Sequence, residues 1–491
     1  DGEIGRHGPP VPWRPSLPPA GPARQPRMEE RRIGAEIRAT LSLAWPLALT
    51  NLSQMALVLT DTLYLGHLST EALAASTLGS NLYWAALALP FGLTFAAAAM
   101  LAQERGRVRR HMREMRRTVR QACWGVLIAA APIMLLLWHA AWVLRGLGQD
   151  PVLAGLAQTY MRTLMWGLLP FFGFVVLRGF LSAMERPKPA LLVSLAAIAL
   201  NAALGWPLIF GAFGLPGLGL AGAGLASALS NLAMFLTLAL LIARDRRLRR
   251  FRLAGRFWRA DWRRMKDLFR LGLPVAGSML LEIAIFSAAG MVMGWMGAVA
   301  VAAHAIALQF ASAAFMVPMG IGQAATTRVG LAIGGGNRRG AALAGWVAIG
   351  LSVGAMLVTG GLLLLLHDRL SRLFLDMANP GAAETAQVAA TLVMIAGLFQ
   401  IADGVQTTAA GALRGLKDTR LPMLIAALGY WAIALPAGLL LAFRAGLGPT
   451  GLWIGLALGL GVVATLMVLR WARMARRGGL TPRPRLAPLP A

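Results

Sequence analysis

Twelve separate stretches of this chain are apolar for long enough to cross a lipid bilayer, and this limits its fold more than any other feature. They lie near 39–65, 72–101, 121–144, 159–183, 189–213, 219–243, 268–295, 298–332, 342–366, 386–413, 421–443 and 449–471. A helix needs about 20 apolar residues to cross the hydrocarbon core. Lipid offers no partner for peptide N–H and C=O groups, so only helices and closed barrels span it. Barrel strands alternate in character and need only about ten residues. Continuous runs of this length therefore predict helices and an all-α integral membrane protein. The low share of charged residues, 14%, agrees, since soluble domains carry about a quarter.

The formal net charge of +27 would suggest nucleic acid in a soluble protein. Here the positive residues fall in short segments between apolar runs, which is the signature of membrane topology. Arg24 to Arg38 precede the first run, and Arg105 to Arg120 follow the second. Arg186 and Lys188, Arg244 to Lys266, Arg338 and Arg339, Arg414 to Arg420, and Arg470 to Arg477 follow the fourth, sixth, eighth, tenth and twelfth. All lie on one side, assigned to the cytoplasm, and the alternate loops are poorer in Arg and Lys. Both termini are then cytoplasmic, the protein is a multi-pass component of a bacterial inner membrane, and nucleic acid is not a partner. The single cysteine, Cys123, excludes an intrachain disulfide and a cysteine-based metal site.

Residues 1–33 read as a disordered or mis-assigned N-terminal extension. Residues 1–27 have no apolar core of the kind a secretory signal needs, and Met28 offers a plausible start. The chain then divides into a bundle over 34–243, a basic linker over 244–266, a second bundle over 267–472 and a cytoplasmic tail over 473–491. The linker carries Phe251, Phe257, Trp258 and Trp262 among its arginines, which predicts an interfacial helix on anionic lipid.

The two bundles repeat one another. A shift of 228 (274 − 46) places Pro46 on Pro274, Gly66 on Gly294, Pro90 on Pro318 and Gly92 on Gly320. A shift of 229 superposes Gly217, Gly219 and Gly222 on Gly446, Gly448 and Gly451. Order and spacing are kept across half the chain, which implies duplication. Each repeat has six spans and so enters and leaves on the same side. The pseudo-two-fold axis then runs along the membrane normal. Pro90, Gly92, Pro318, Gly320 and Gly322 interrupt two long runs and mark kinks or hinges, or plain packing.

Charge inside the membrane carries the chemistry. An acid at the bilayer centre costs about 2.5–3.5 kcal/mol on insertion scales, so it marks a functional position by default. Glu282 sits midway along the seventh run, opposite Gln54 by the 228 shift, and Asp403 sits midway along the tenth, near Gln400 and Gln406. If they meet, two carboxylates in one low-dielectric site form an acceptor for a proton or Na⁺. Asp61 shares a helix face with Asn51 and Gln54, although it could also snorkel to the outer interface. His304 could join a proton relay or simply bond between helices. Asn201 and Asn231 are intramembrane amides, and Arg178, Arg328 and Arg414 lie near helix ends where snorkelling is expected. There is no phosphate-binding Gly-rich Lys motif, no H-E-x-x-H and no G-x-S-x-G, so neither ATP drive nor an enzyme finds support.

Several stretches together resemble the multidrug and toxic compound extrusion (MATE) family, across about residues 34–470. They are LAWPLALTNLSQMALVLTDTLYLGHLSTEALAA (43–75), LFRLGLPVAGSMLLEIAIFSAAGMVMGWMGAVAVAAHAIALQF (268–310), FMVPMGIGQAATTRVGLAIGGGN (315–337), LFQIADGVQTTAAGALRGLKDT (398–419) and ERPKPALL (185–192). The acid pattern resembles the NorM-type branch, with Glu282, Asp403 and Asp61 at its motif positions. The resemblance implies two pseudo-two-fold related six-helix bundles around a central cavity. It also implies a cofactor-free monomer that exports small amphipathic organic cations in exchange for Na⁺ or H⁺ by alternating access. Glu282, Asp403 and Asp61 would couple the ion, with Na⁺ possible at Glu282 and Asp403. Gln54, Asn51, Asn201, His304 and Gln400 would contribute to ion or substrate binding. Asn201 matches a fifth-helix Asn of the family, but a second amide found one turn later in some relatives is Gly205 here. Two alternatives are a flippase for lipid-linked sugars, which would need a basic cavity, and a membrane enzyme or scaffold.

Overall fold

Each apolar run becomes one long helix in the computed structural model, which describes residues 25–476 apart from 108–110, 213, 215, 254, 256 and 376–380. The first six spans are α1 (Arg32–Leu68), α2 (Thr70–Gly106), α3 (His111–Trp138), α4 (Pro151–Ala183), α5 (Lys188–Phe210) and α6 (Leu220–Arg244). The second six are α7 (Trp262–Met296), α8 (Ala298–Gly334), α9 (Arg338–Arg372), α10 (Ala382–Gly415), α11 (Arg420–Arg444) and α12 (Gly448–Arg476). The helix containing α1 starts at Gln25, inside the expected extension. Residues 1–24 and 477–491, most of the two expected tails, lie outside the described residues.

Helix starts follow local chemistry. Asp150 accepts from the backbone N–H groups of Val152 and Leu153 at 2.9 and 3.0 Å, with Pro151 in the first turn of α4. Asn337 caps α9 by accepting from Gly340 at 2.8 Å. These side chains satisfy donors that a helix leaves unpaired at its start. α11 departs from regular geometry, with π-helical stretches at Leu428–Ala434 and Leu440–Arg444 on either side of Pro436. A proline removes one ladder hydrogen bond and clashes with the preceding turn, which favours such widening.

The helices gather into two groups of six with reciprocal exchange at one end. The first core is built from α1–α6 and takes in Met265, Leu268 and Val275 from the start of α7. The second is built from α7–α12 and takes in Leu43, Ala44 and Leu47 from the start of α1. The groups meet where α1 packs on α8 and where α2 packs on α7 and α8. A Cβ added to Gly92 would stand 2.7 Å from the Ala276 Cβ, and one added to Gly320 would stand 2.8 Å from the Ala48 Cβ. These are the same contact made twice, since 92 + 228 = 320 and 48 + 228 = 276. Thr50 donates to the Pro46 carbonyl at 2.7 Å and Ser278 to the Pro274 carbonyl at 3.1 Å, again one shift apart. Gly92 and Gly320 thus let two backbones approach closely, which is how membrane helices gain packing without a hydrophobic drive between them.

Small residues also join α11 to α12. Gly455 packs on the Gly438 backbone and Gly459 against Ala434 and Gly429. Leucine at 455 has no space, so Gly455→Leu is expected to separate the two helices and lower the melting temperature of purified protein. An unchanged melting curve would contradict this packing.

Two expectations fail. Among the described residues of 244–266 there is no interfacial helix: a single 3₁₀ turn, Arg249–Phe251, lies between the end of α6 and the opening of α7 at Trp262. Phe251 is buried against Phe180 and His111, with ring centroids 5.2 and 6.2 Å away, and Trp124 Nε1 donates to the Phe257 carbonyl at 3.0 Å. Phe251 and Phe257 pin the linker to the first bundle, while Trp258 and Trp262 stay exposed at 80% and 73%. Nor do the three arginines snorkel. Arg178 is 4% exposed, Arg328 pairs with acids of the first bundle, and Arg414 lines internal cavities. Each finds an internal partner or a polar space, which removes the reason to reach for headgroups.

Candidate functional site

A cavity of about 870 Å³ lies between the bundles. On one side α2 contributes Asn81, Trp84 and Phe95; on the other, α7, α8, α10, α11 and α12 supply most of the remaining wall. Much of that wall is Met and Phe, including Met279, Phe286, Phe315, Met316, Met319 and Phe399. Flexible thioethers and flat rings repack around apolar guests of varied shape. The cavity reaches from Asp418 and Thr419 near the arginine-rich end to Gly290, Met291 and Val301 toward the other end.

Glu282 and Asp403 line this one cavity. They come from the middles of α7 and α10 and lie within electrostatic range of one another. Asp403 is 6% exposed, and its Oδ1 has no partner among the described residues. Glu282 is half-buried and borders the open space. Tyr430, from the π-helical stretch of α11, lines the same cavity and accepts from Gln406 Nε2. Two carboxylates and a phenol oxygen around one cavity, with one carboxylate oxygen unpartnered among the described residues, attract a proton or a hard cation.

Asp61 belongs to a different place. It is 5% exposed and lies inside the first bundle rather than at the outer interface. Ser227 of α6 donates to Asp61 Oδ2, and Asn201 of α5 donates to Ser227 Oγ at 3.4 Å. Asp61 Oδ1 and Asn201 Oδ1 are both buried without a partner among the described residues. This nest is oxygen-rich like the first, but none of its members lines the large cavity. Gly205 faces the Tyr64 ring, where an added Cβ would stand 2.8 Å from Cε2. The ring therefore fills the space that a side chain at 205 would need.

The other expected residues scatter. Asn51 accepts from Arg178 Nη1 at 3.1 Å and does not line the cavity. Gln54 has a buried Nε2 without a partner and also stays outside it. Gln400 is fully buried and donates to the Ala311 carbonyl at 3.0 Å, a tie between α10 and α8. His304 does line the cavity, and its Nδ1 lies 3.2 Å from Trp453 Nε1. An indole N–H can only donate, so Nδ1 accepts and the neutral ring carries its proton on Nε2. Sequence reasoning missed Ser227 and Tyr430. Ser227 sits among alanines with no distinguishing signal. Tyr430 had one, as one of only four tyrosines and set within an apolar run.

At the arginine-rich end, two ion-pair clamps join the bundles. Arg328 of α8 grips Glu36 of α1 through Nε at 2.8 Å and Nη2 at 2.6 Å, and reaches Glu185 at 2.5 Å. Arg264 of α7 binds Glu104 of α2 at 2.6 Å, and also Glu114 and Thr118 of α3. Positions 36 and 264 are one repeat shift apart (264 − 36 = 228), so the same helix pairs are clamped twice with the charges exchanged. Gln103 adds a bond from α2 to the Gly415 carbonyl at 2.8 Å.

Known proteins share both the fold and the sequence. A protein of Mesorhizobium japonicum described as "Probable multidrug resistance protein NorM" is 48% identical over 450 residues, covering 92% of this chain and 96% of that protein. A Brucella suis protein of the same description is 46% identical over 451 residues, with 92% and 96% covered. Among solved structures, the eukaryotic MATE transporter AtDTX14 superposes with a TM-score of 0.79 at 22% identity, covering 92% of this chain and all (100%) of that one. A structure described as the outward-facing conformation of a multidrug resistance MATE family transporter gives 0.79 at 21% identity, with 91% and 97% covered. The sequence signature of the MatE family matches residues 46–206 and 274–440, two stretches that open at the repeat-related prolines Pro46 and Pro274. With this signature over most of its length, near-full-length NorM relatives and the twelve-helix fold, the chain belongs to the MatE family, as a NorM-type member.

Proposed function

We propose that this protein exports small amphipathic organic cations across the bacterial inner membrane, in exchange for Na⁺ or H⁺. The observation that carries the reading is the placing of Glu282 and Asp403 together on the wall of a cavity large enough for an organic molecule. Acids there attract a cation, while the Met and Phe wall buries its apolar body. The arginine-rich end is cytoplasmic on this reading, with both termini on that side. The clamps and the Gly92 and Gly320 contacts close that end, and the cavity serves the opposite side.

Ion and drug compete for the same negative charge. A proton or Na⁺ entering from outside neutralises the pair and weakens its hold on the drug. Release of the ion to the cytoplasm restores the charge for the next cation. Net transport requires the ion and the drug to differ in affinity between the two open states. The lining contains Glu282, Asp403 and Asp418 against one arginine, Arg414, which argues against a flippase for pyrophosphate-linked sugars.

The test is reconstitution into vesicles with a fluorescent organic cation, imposing Na⁺ and pH gradients separately. Uptake driven by one gradient supports the reading; uptake indifferent to both refutes it. Asp61→Asn is expected to lower ion-driven uptake severalfold at normal membrane abundance, because its nest leaves two buried oxygens, Asp61 Oδ1 and Asn201 Oδ1, unpartnered among the described residues. Wild-type uptake by this variant would remove Asp61 from the coupling scheme.

A further inference from the structure

A second, much smaller cavity of about 30 Å³ lies under the first, where the two bundles touch. Its wall contains two arginines, Arg178 of α4 and Arg414 of α10, together with Thr94, Ser182, Gln323 and Thr326, and no acidic residue. Arg178 is 4% exposed and has, among the described residues, one polar side-chain partner, the neutral Asn51 amide at 3.1 Å. Arg414 stands over the Phe95 ring, 5.0 Å from its centroid. Glu282 is the acid whose charge it feels, yet among the described residues it forms no ion pair with it. A guanidinium held in low dielectric without a counter-charge is costly, and among the described residues Arg178 has none while Arg414 has only the unpaired Glu282.

The donor inventory points the same way. The Thr94 hydroxyl donates to the Phe91 carbonyl at 2.9 Å, Ser182 to Arg178 at 3.0 Å, and Thr326 to Gly322 and Gly411 at 3.0 and 2.8 Å. Those protons are committed to backbone. The donors left facing the space are the guanidinium groups and Gln323 Nε2, which is buried with no partner among the described residues. A space of this size fits a monatomic anion more closely than a bulkier sulfate or phosphate.

We propose that this cavity binds one halide ion, chloride under cellular conditions, between Arg178 and Arg414. The ion would bridge the bundles, since Arg178 and Thr94 belong to the first and Arg414, Gln323 and Thr326 to the second. The site exists only while the arginine-rich end is closed. A halide therefore stabilises that state over the one in which the bundles part there. The site shares Phe95, Gln323 and Arg414 with the wall of the large cavity, but halide binding there needs neither drug nor gradient.

The test uses the purified full chain in lipid nanodiscs, at constant Na⁺ and ionic strength, with chloride or bromide replacing gluconate. The melting temperature should rise saturably with either halide and stay flat in gluconate. Crystals grown in bromide should show an anomalous peak between Arg178 and Arg414. Arg178→Gln should weaken the apparent halide affinity at least tenfold; if it does not fold, Arg414→Gln serves, and the bromide experiment needs no variant. Equal melting curves in chloride and gluconate, a cavity holding only water in bromide crystals, or an undiminished halide response in the variant would overturn the proposal.

Discussion

Glu282→Gln and Asp403→Asn should each reduce efflux of an organic cation by more than tenfold, with membrane abundance unchanged. Both substitutions keep shape and hydrogen-bonding capacity while removing charge, so they test charge and not packing. The two acids line one cavity and are expected to serve one cation, so their effects should not add. The double variant should be no worse than the more damaged single one, as for residues that work as a unit. Drug accumulation in a sensitive host, with abundance checked by blotting, measures this. Wild-type resistance in both single variants would remove the pair from the mechanism. Tyr430→Phe isolates the phenol oxygen, and a smaller loss is expected because both carboxylates remain.

The second large effect concerns the clamp at the basic end. Arg264 has a side chain only 14% exposed, and its partners Glu104 and Glu114 are 7% and 25% exposed. Removing one member of such a buried network leaves unpaired charge, typically at a cost of about 3–5 kcal/mol. Arg264→Gln should therefore lower the melting temperature clearly and loosen contact between α2 and α7. The double variant Arg264→Gln with Glu104→Gln should recover part of the loss, because the stranded acid is gone. Spin-label distances across the arginine-rich end would report opening directly. An unaltered distance distribution together with an unchanged melting temperature would show that the clamp is not what holds the bundles. Arg328→Gln is the companion test on the pseudo-symmetric side, where Glu185 is 52% exposed and the bond to it correspondingly weaker.

Much of this molecule can be read without coordinates. Hydropathy alone places twelve helices, because lipid leaves an apolar run almost no other choice. The 228-residue shift announces the repeat, and the acids at mid-membrane stand out because insertion penalises them. Glu282 and Asp403 were legible for that reason, each from its own helix. Periodicity could not say that they share a cavity, nor that Asp61, with the same chemistry, lies apart from it. Helical phase places residues on a face of one helix; which helix lies opposite is a tertiary fact. So it was with Asn51, which looked like a ligand and instead holds Arg178, and with Gln400, which ties two helices.

The linker shows the opposite limit. Its basic and aromatic composition suits a helix lying on lipid, but Phe251 and Phe257 find pockets and partners on the first bundle and the chain follows them. For Gly92 and Gly320 the sequence leaves hinge and plain packing as alternatives, and the structure shows packing. Their reason is the Ala276 and Ala48 side chains on the facing helices, 184 and 272 residues away (276 − 92 and 320 − 48). The sequence by itself determined the number of spans, their duplication, and which helices carry ionisable groups, since burial in lipid acts on each segment separately. The tertiary structure alone decided which groups face one another and which end is clamped, because those depend on contacts between segments far apart in the chain.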